Sequence, residues 1–177
     1  RAFKVIGREF YRAHTGNTLA KVDIDAEPLT AANWGADNAF PVGDANYKVN
    51  RLAIDTLGRL LIFKEEGIFS LQEDGKDIRL FPQMAFTISA NNGKAYGTYL
   101  NDMYVNYGES FFKITPDLGI EDVTPMNQVS GGTSITVRGD VSAFQAHSTF
   151  HAYAALHYAP TNDWSLMKFG GIDGKGV

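Results

Sequence analysis

At 177 residues, with 44% hydrophobic and 20% charged side chains, the chain carries enough apolar material for a sizeable core and lacks the composition of a disordered segment. A formal net charge of −4 provides no basic surface for neutralising phosphates, so nucleic acid is not an expected partner. Cysteine is absent, which excludes disulfides and Cys-based zinc or redox sites, and no apolar run approaches the ~20 residues of a membrane helix.

Twelve Phe, 8 Tyr and 18 Gly favour strands and turns over helices. The first strands are expected over 2–6, 9–12 and 19–24, where Val22 and Ile24 alternate with Asp23 as a half-buried strand does. From Ala26 to Tyr47 the pattern lapses into a loop holding Trp34 and Phe40-Pro41, long enough to be a binding loop or a contact with a neighbour. Between Leu52 and Pro82, four short apolar runs are separated by Asp55-Thr56-Leu57-Gly58, Glu65-Glu66-Gly67 and Glu73-Asp74-Gly75-Lys76. Each break has turn chemistry, so this stretch reads as an antiparallel meander. Further strands are expected over 86–90, then after a hairpin signal at Asn91-Asn92-Gly93 over 94–100, 103–107, 110–115 and 120–123. Beyond the Ser130-Gly131-Gly132-Thr133 loop they continue over 134–138, 141–145, 149–158 and 164–169. No long amphipathic helix is expected.

The meander recurs. Leu61-Ile62-Phe63-Lys64, the turn at Gly67 and Ile68-Phe69-Ser70-Leu71 are matched by Met103-Tyr104-Val105-Asn106, the turn at Gly108 and Phe111-Phe112-Lys113-Ile114. Pro41, Pro82 and Pro125 close successive segments at nearly equal separations. A four-stranded unit of roughly 42 residues has the period of a β-propeller blade, which buries its faces only against neighbouring blades. The expected fold is an all-β propeller or propeller fragment of four-stranded antiparallel blades. The units would run about 1–41, 42–82, 83–125 and 126–177 in a single domain. The first unit would lack its opening strand or strands and the last would be cut short. Arg1 as a trimmed start and the Gly-rich 170–176 suggest part of a longer chain, with no signal peptide.

The hairpin Leu61-Ile62-Phe63-Lys64-Glu65-Glu66-Gly67-Ile68-Phe69-Ser70-Leu71 resembles the blades of β-propellers in structural proteins of tailed bacteriophages, either tail- or head-associated. Phe150-His151-Ala152-Tyr153-Ala154, followed by Trp164 to Phe169, is similar to their final hairpins. The resemblance implies a structural virion component, assembled with other virion proteins or copies of itself in an extracellular particle. The Gly-His/Trp-Asp, paired-Gly and Ser-x-Asp-x-Gly-x-Thr-Trp signatures of WD40, kelch and sialidase propellers are missing.

Nor does the sequence contain a nucleophile elbow or a phosphate loop, so a non-enzymatic protein without a cofactor is expected. His151 and His157 share a strand face with His147 nearby, but strand rise sets them too far apart for one ion. Asp23 and Asp25 read as a solvent face, Asp74-Gly75-Lys76-Asp77 as a hairpin turn and Arg138-Gly139-Asp140 as a turn between strands, so no metal site is expected. Trp34, Phe40, Tyr47, Tyr158 and Trp164 are the candidate ligand contacts, because flat aromatic surfaces suit sugar planes and protein partners alike. The alternative function is therefore a carbohydrate-binding or carbohydrate-cleaving propeller that recognises host surface glycans. Cleavage would require two carboxylates at a set separation.

Overall fold

A computed structural model describes residues 3–14, 16–23, 25, 34, 38–72, 76–108, 110–124, 126–128, 136–138, 140–148, 151–158 and 163–170. It is built of antiparallel strands in two compact units, 1–93 and 94–177.

The first unit holds two four-stranded meanders. One consists of β1 (Phe3–Ile6), β2 (Glu9–Ala13), β3 (Thr18–Asp23) and β4 (Ala39–Pro41), and the other of β5 (Val49–Ile54), β6 (Leu60–Lys64), β7 (Gly67–Leu71) and β8 (Asp77–Leu80). In each sheet consecutive strands are neighbours, as short turns between antiparallel strands require. Strand alternation sends Tyr11, Ala13 and Leu19 to one face of the first sheet and Leu52, Leu60, Ile62 and Phe69 to one face of the second. These two faces form a common core, with Val42 from the connection between the sheets. Full burial of a side chain such as Ile62 stabilises the fold by about 1.5–3 kcal/mol. On the other face of the second sheet, the Phe63 ring lies against Gly93, where a Cβ would fall 2.2 Å from Phe63 Cβ.

The second unit contains β9 (Tyr96–Tyr99), β10 (Asp102–Tyr107), β11 (Ser110–Ile114) and β12 (Ile120–Asp122) as a third four-stranded meander. A pair follows, β13 (Met126–Gln128) and β14 (Thr136–Arg138), and then a three-stranded sheet of longer strands, β15 (Asp140–Ser148), β16 (His151–Tyr158) and β17 (Asp163–Gly170). Tyr99, Tyr104 and Phe111 of the third sheet pack with Phe144, Ala152 and Ala154 of the last. Tyr104 stacks on Phe144 at 5.1 Å between centroids, and the approach leaves so little room that a Cβ at Gly97 would sit 2.8 Å from the Phe144 ring.

Three local expectations differ from the structure. Ala39–Pro41, read as loop, is the fourth strand of the first sheet, so that sheet does not lack a strand. Three residues are too few to show an alternation, and only pairing with Thr18–Ala20 makes them a strand. Residues 86–90, read as a strand, have no strand partner. They belong to a segment that Asn92 ties down through its side chain, and Asn91-Asn92-Gly93 closes no hairpin. Met126–Gln128 is a strand that no pattern announced.

Candidate ligand cleft between the first two sheets

The pairing of β2 with β3 places Glu9, Tyr11, Lys21 and Leu19 on the face that meets the second sheet. Phe40 joins them, because β4 sets it opposite Leu19. Beside the shared core, with which it has Tyr11 and Leu60 in common, lies a cleft of about 500 Å³. Ile6, Tyr11 and Phe40 line it from the first sheet, and Leu60 and Leu71 from the second. Its polar lining is Glu9, Lys21, Arg59 and Gln72, with Gly58 at the 55–58 turn.

The polar side chains are locked in defined positions. Glu9 Oε1 takes a contact of 2.5 Å from Lys21 Nζ, while Oε2 accepts from the Tyr11 hydroxyl. The Lys21 and Tyr11 hydrogen bonds hold the Glu9 carboxyl below its ordinary value of 4.5. Burial of Tyr11, aided by its bond to Glu9, pushes the phenol well above its ordinary value. Across the cleft, Arg59 Nε donates to Asp55 Oδ2 at 2.5 Å. Asp55 Oδ1 accepts the backbone N–H of Leu57 and of Arg59, both at 2.9 Å, so the turn itself fixes the carboxylate that aims the guanidinium.

Of the five aromatic candidates, Phe40 is the one found among the described residues that line this cleft. Trp34 lies on the opposite face of the same sheet, edge-on to Phe3 and Phe10, with the Arg12 guanidinium 4.9 Å from its ring centroid and donating to its carbonyl. Tyr47 sits in the turn begun by Asp44, to which its backbone N–H donates at 3.3 Å. The backbones of Tyr158 and Trp164 pair across β16 and β17, and their side chains lie outside the described residues. The sequence reading did not single out Glu9, Tyr11, Lys21, Arg59 or Gln72. The i, i+2 spacing of Glu9 and Tyr11 would have placed that pair on one face, but Lys21 and Arg59 reach it only through register and sheet packing.

The remaining candidates do not converge. Asp23 Oδ1 accepts the Asp25 N–H at 2.9 Å, and Asp25 pairs with Arg8. Among the described residues no group of three or more His, Cys, Asp or Glu is placed to hold a metal ion. The side chains of His147, His151 and His157, and residues Asp74, Gly75 and Gly139, lie outside the described ones. No helix among the described residues is long and apolar enough to cross a membrane.

No protein-family model matches the chain, and no curated protein matches it at a significant level. Solved structures do, and they are propellers. Virginiamycin B lyase from Staphylococcus aureus superposes with a TM-score of 0.56 at 8% identity, over 93% of this chain and 54% of its own. The extracellular domain of BT4673 from B. thetaiotaomicron gives 0.63 at 10% identity, over 94% of this chain and 22% of its own. The computationally designed Ika8 protein gives 0.58 at 11% identity, over 99% of this chain and 47% of its own. The chain thus spans about half of the lyase and of the designed protein, and under a quarter of the BT4673 domain. At such identities the likeness shows the fold, an all-β propeller, and assigns no activity. The expectation of a non-enzymatic protein is corrected by the first of these structures, because a lyase is built on this architecture. Missing sequence signatures therefore exclude no catalysis here: sites are grafted onto folds by a few residues at register positions.

Proposed function

We propose that the chain is a carbohydrate-recognising propeller module whose cleft between the first two sheets takes a sugar unit of a surface glycan. The observation that supports this reading is the lining of the cleft. Phe40 and Tyr11 from one sheet and Leu71 from the other offer apolar surface beside the polar groups of Glu9, Lys21, Arg59 and Gln72, in a volume of about 500 Å³. A sugar ring has the matching character, an apolar C–H face with a hydroxyl rim, and the volume is that of a small-molecule site. The groups are preorganised, which lowers the entropic cost of binding. Cleavage by paired carboxylates meets only one carboxylate, Glu9, among the described lining residues. A glycan array probed with the whole chain tests the reading. Retention is expected and should fall at least tenfold in Phe40→Ala assayed well below that variant's own melting temperature, because Phe40 also packs against the core, whereas a wild-type chain that retains no glycan sinks it.

A second reading, assembly in a virion with other virion proteins or copies of the chain, follows from the phage resemblance and is favoured by the other face of the first sheet. There Phe3 is 48% and Val5 37% exposed, next to Phe10 and Trp34. Apolar and aromatic side chains of this kind are enriched at protein interfaces. Co-sedimentation with particles is the expected result, and recovery only as a particle-free monomer would count against it.

A further inference from the structure

Resting on the carbohydrate reading of the same cleft, we infer that the sugar it takes is uncharged, and that two adjacent hydroxyls of that sugar bridge the Lys21–Glu9 ion pair. Charge among the described lining residues is balanced pair by pair. Lys21 Nζ lies 2.5 Å from Glu9 Oε1, and Arg59 Nε donates to Asp55 Oδ2 at 2.5 Å. The Asp55 side chain is only 7% exposed and its other oxygen accepts the Leu57 and Arg59 backbone N–H groups, so Arg59 brings to the cleft a cation that is already matched. The two pairs together carry no net charge. The Lys21 and Tyr11 hydrogen bonds hold the Glu9 carboxyl below its ordinary value, which keeps it an anion at neutral pH.

An anionic ring drawn to Lys21 would meet the Glu9 carboxylate at the same place, and a cationic ring drawn to Glu9 would meet Lys21. Like charges so placed are penalised, and the net charge of −4 on the whole chain adds to the cost for an anion. A hydroxyl, which both donates and accepts, meets neither obstacle. The Lys21 and Glu9 side chains are 45% and 37% exposed, so a ligand can reach the pair. Each Glu9 oxygen already accepts one bond, from Lys21 or from the Tyr11 hydroxyl, and a carboxylate oxygen has room for a second. One sugar hydroxyl accepting from Lys21 and its neighbour donating to Glu9 use both members of the pair without breaking it, and bonds to charged groups are stronger than neutral ones. Gln72 adds an amide that donates and accepts, while Phe40 and Tyr11 supply apolar surface for the C–H face of the ring.

The test is calorimetric titration of the whole chain with neutral gluco-, galacto- and manno-oligosaccharides, and with the same oligosaccharides after oxidation of their C6 hydroxyls to carboxylates. The oxidised form of whichever sugar binds should bind roughly tenfold more weakly than the neutral form, the effect of one uncompensated like-charge contact. Affinity for the neutral form should stay nearly constant up to ~1 M salt, where the Debye length is about 3 Å. Two variants, checked for folding by far-UV dichroism, should move the discrimination in opposite directions. Glu9→Gln, which leaves Lys21 without its carboxylate, should abolish or reverse it, and Lys21→Met, which leaves Glu9 without its ammonium, should widen it. An oxidised form that binds the wild-type chain as tightly as the neutral one overturns the inference while leaving the carbohydrate reading in place. Discrimination that neither variant alters also overturns it. Failure of the wild-type chain to bind any of these sugars in either form overturns both.

Discussion

Lys64 is completely buried, yet each N–H of its amino group has an acceptor: Val42 O at 2.6 Å, Asp44 O at 2.8 Å and Glu66 Oε1 at 2.7 Å. Burial of an unpaired ammonium would be prohibitive, so the connection between the first two sheets must stay wrapped around this side chain. Gly43 lies within that wrap at φ +59, where a Cβ would sit 2.7 Å from both Glu66 Oε1 and Phe69 Cζ. Lys64→Met should lower the unfolding free energy by about 3 kcal/mol in a denaturant titration, because two carbonyls and a carboxylate lose their donor. A milder shift in the same direction is expected for Gly43→Ala. The cleft contributes a pH dependence at both ends of the range. Glu9 is more acidic in the folded state than its ordinary 4.5, so the stability it contributes is present above that value and drains away as pH falls through the lower folded value. Tyr11 is displaced upward from 10.0, so its contribution holds below pH 10 and is lost as pH rises towards the folded value. Tyr11→Phe should flatten the alkaline limb of a Tm-against-pH curve, and an unchanged limb would mean that another group titrates there.

At the scale of elements, each meander could be recognised because its turns carry Gly, Asp and Asn at the breaks and its strands are apolar. Phe63, Ile68, Val105 and Phe111 are fully buried, as their runs suggest. Segments held by side chains rather than by ladders could not be recognised. Asn92 donates from Nδ2 to Glu65 O at 2.7 Å and Thr87 O at 2.8 Å, while its own carbonyl accepts from Asn50 Nδ2 at 2.9 Å. One asparagine thus supplies what a β-ladder would have supplied, and residues 86–90 curl around it although their composition suits a strand. Asn92→Ala should cost about 1–3 kcal/mol by removing the two hydrogen bonds its side-chain amide donates to the Glu65 and Thr87 carbonyls. Limited proteolysis should then cut within 82–93 well before the strands, and cleavage at an unchanged rate would show that other contacts hold the segment.

For the whole molecule, the propeller architecture has an energetic consequence, because a blade exposes apolar surface wherever no neighbour covers it. The outward face of the first sheet, with Phe3 and Phe10 stacked at 5.4 Å, is such a surface. Phe3→Ser should reduce any concentration-dependent association seen by light scattering while lowering the melting temperature less than loss of a core Phe would, since Phe3 is 48% exposed already. A variant that associates as the wild type does would assign the association to another surface.

The amino-acid sequence by itself determined the all-β class, the four-stranded units and most strand positions. These depend on local period, turn residues and repetition, all of which are written along the chain. Only the tertiary structure decided that Phe40 and not Trp34 faces the cleft, since β4 sets Phe40 opposite Leu19 while Trp34, outside any strand, packs on Phe3 and Phe10. It alone brought Arg59 across to Glu9, Tyr11 and Lys21. The physical reason is that register and sheet packing are set by long-range burial, which no window of sequence contains.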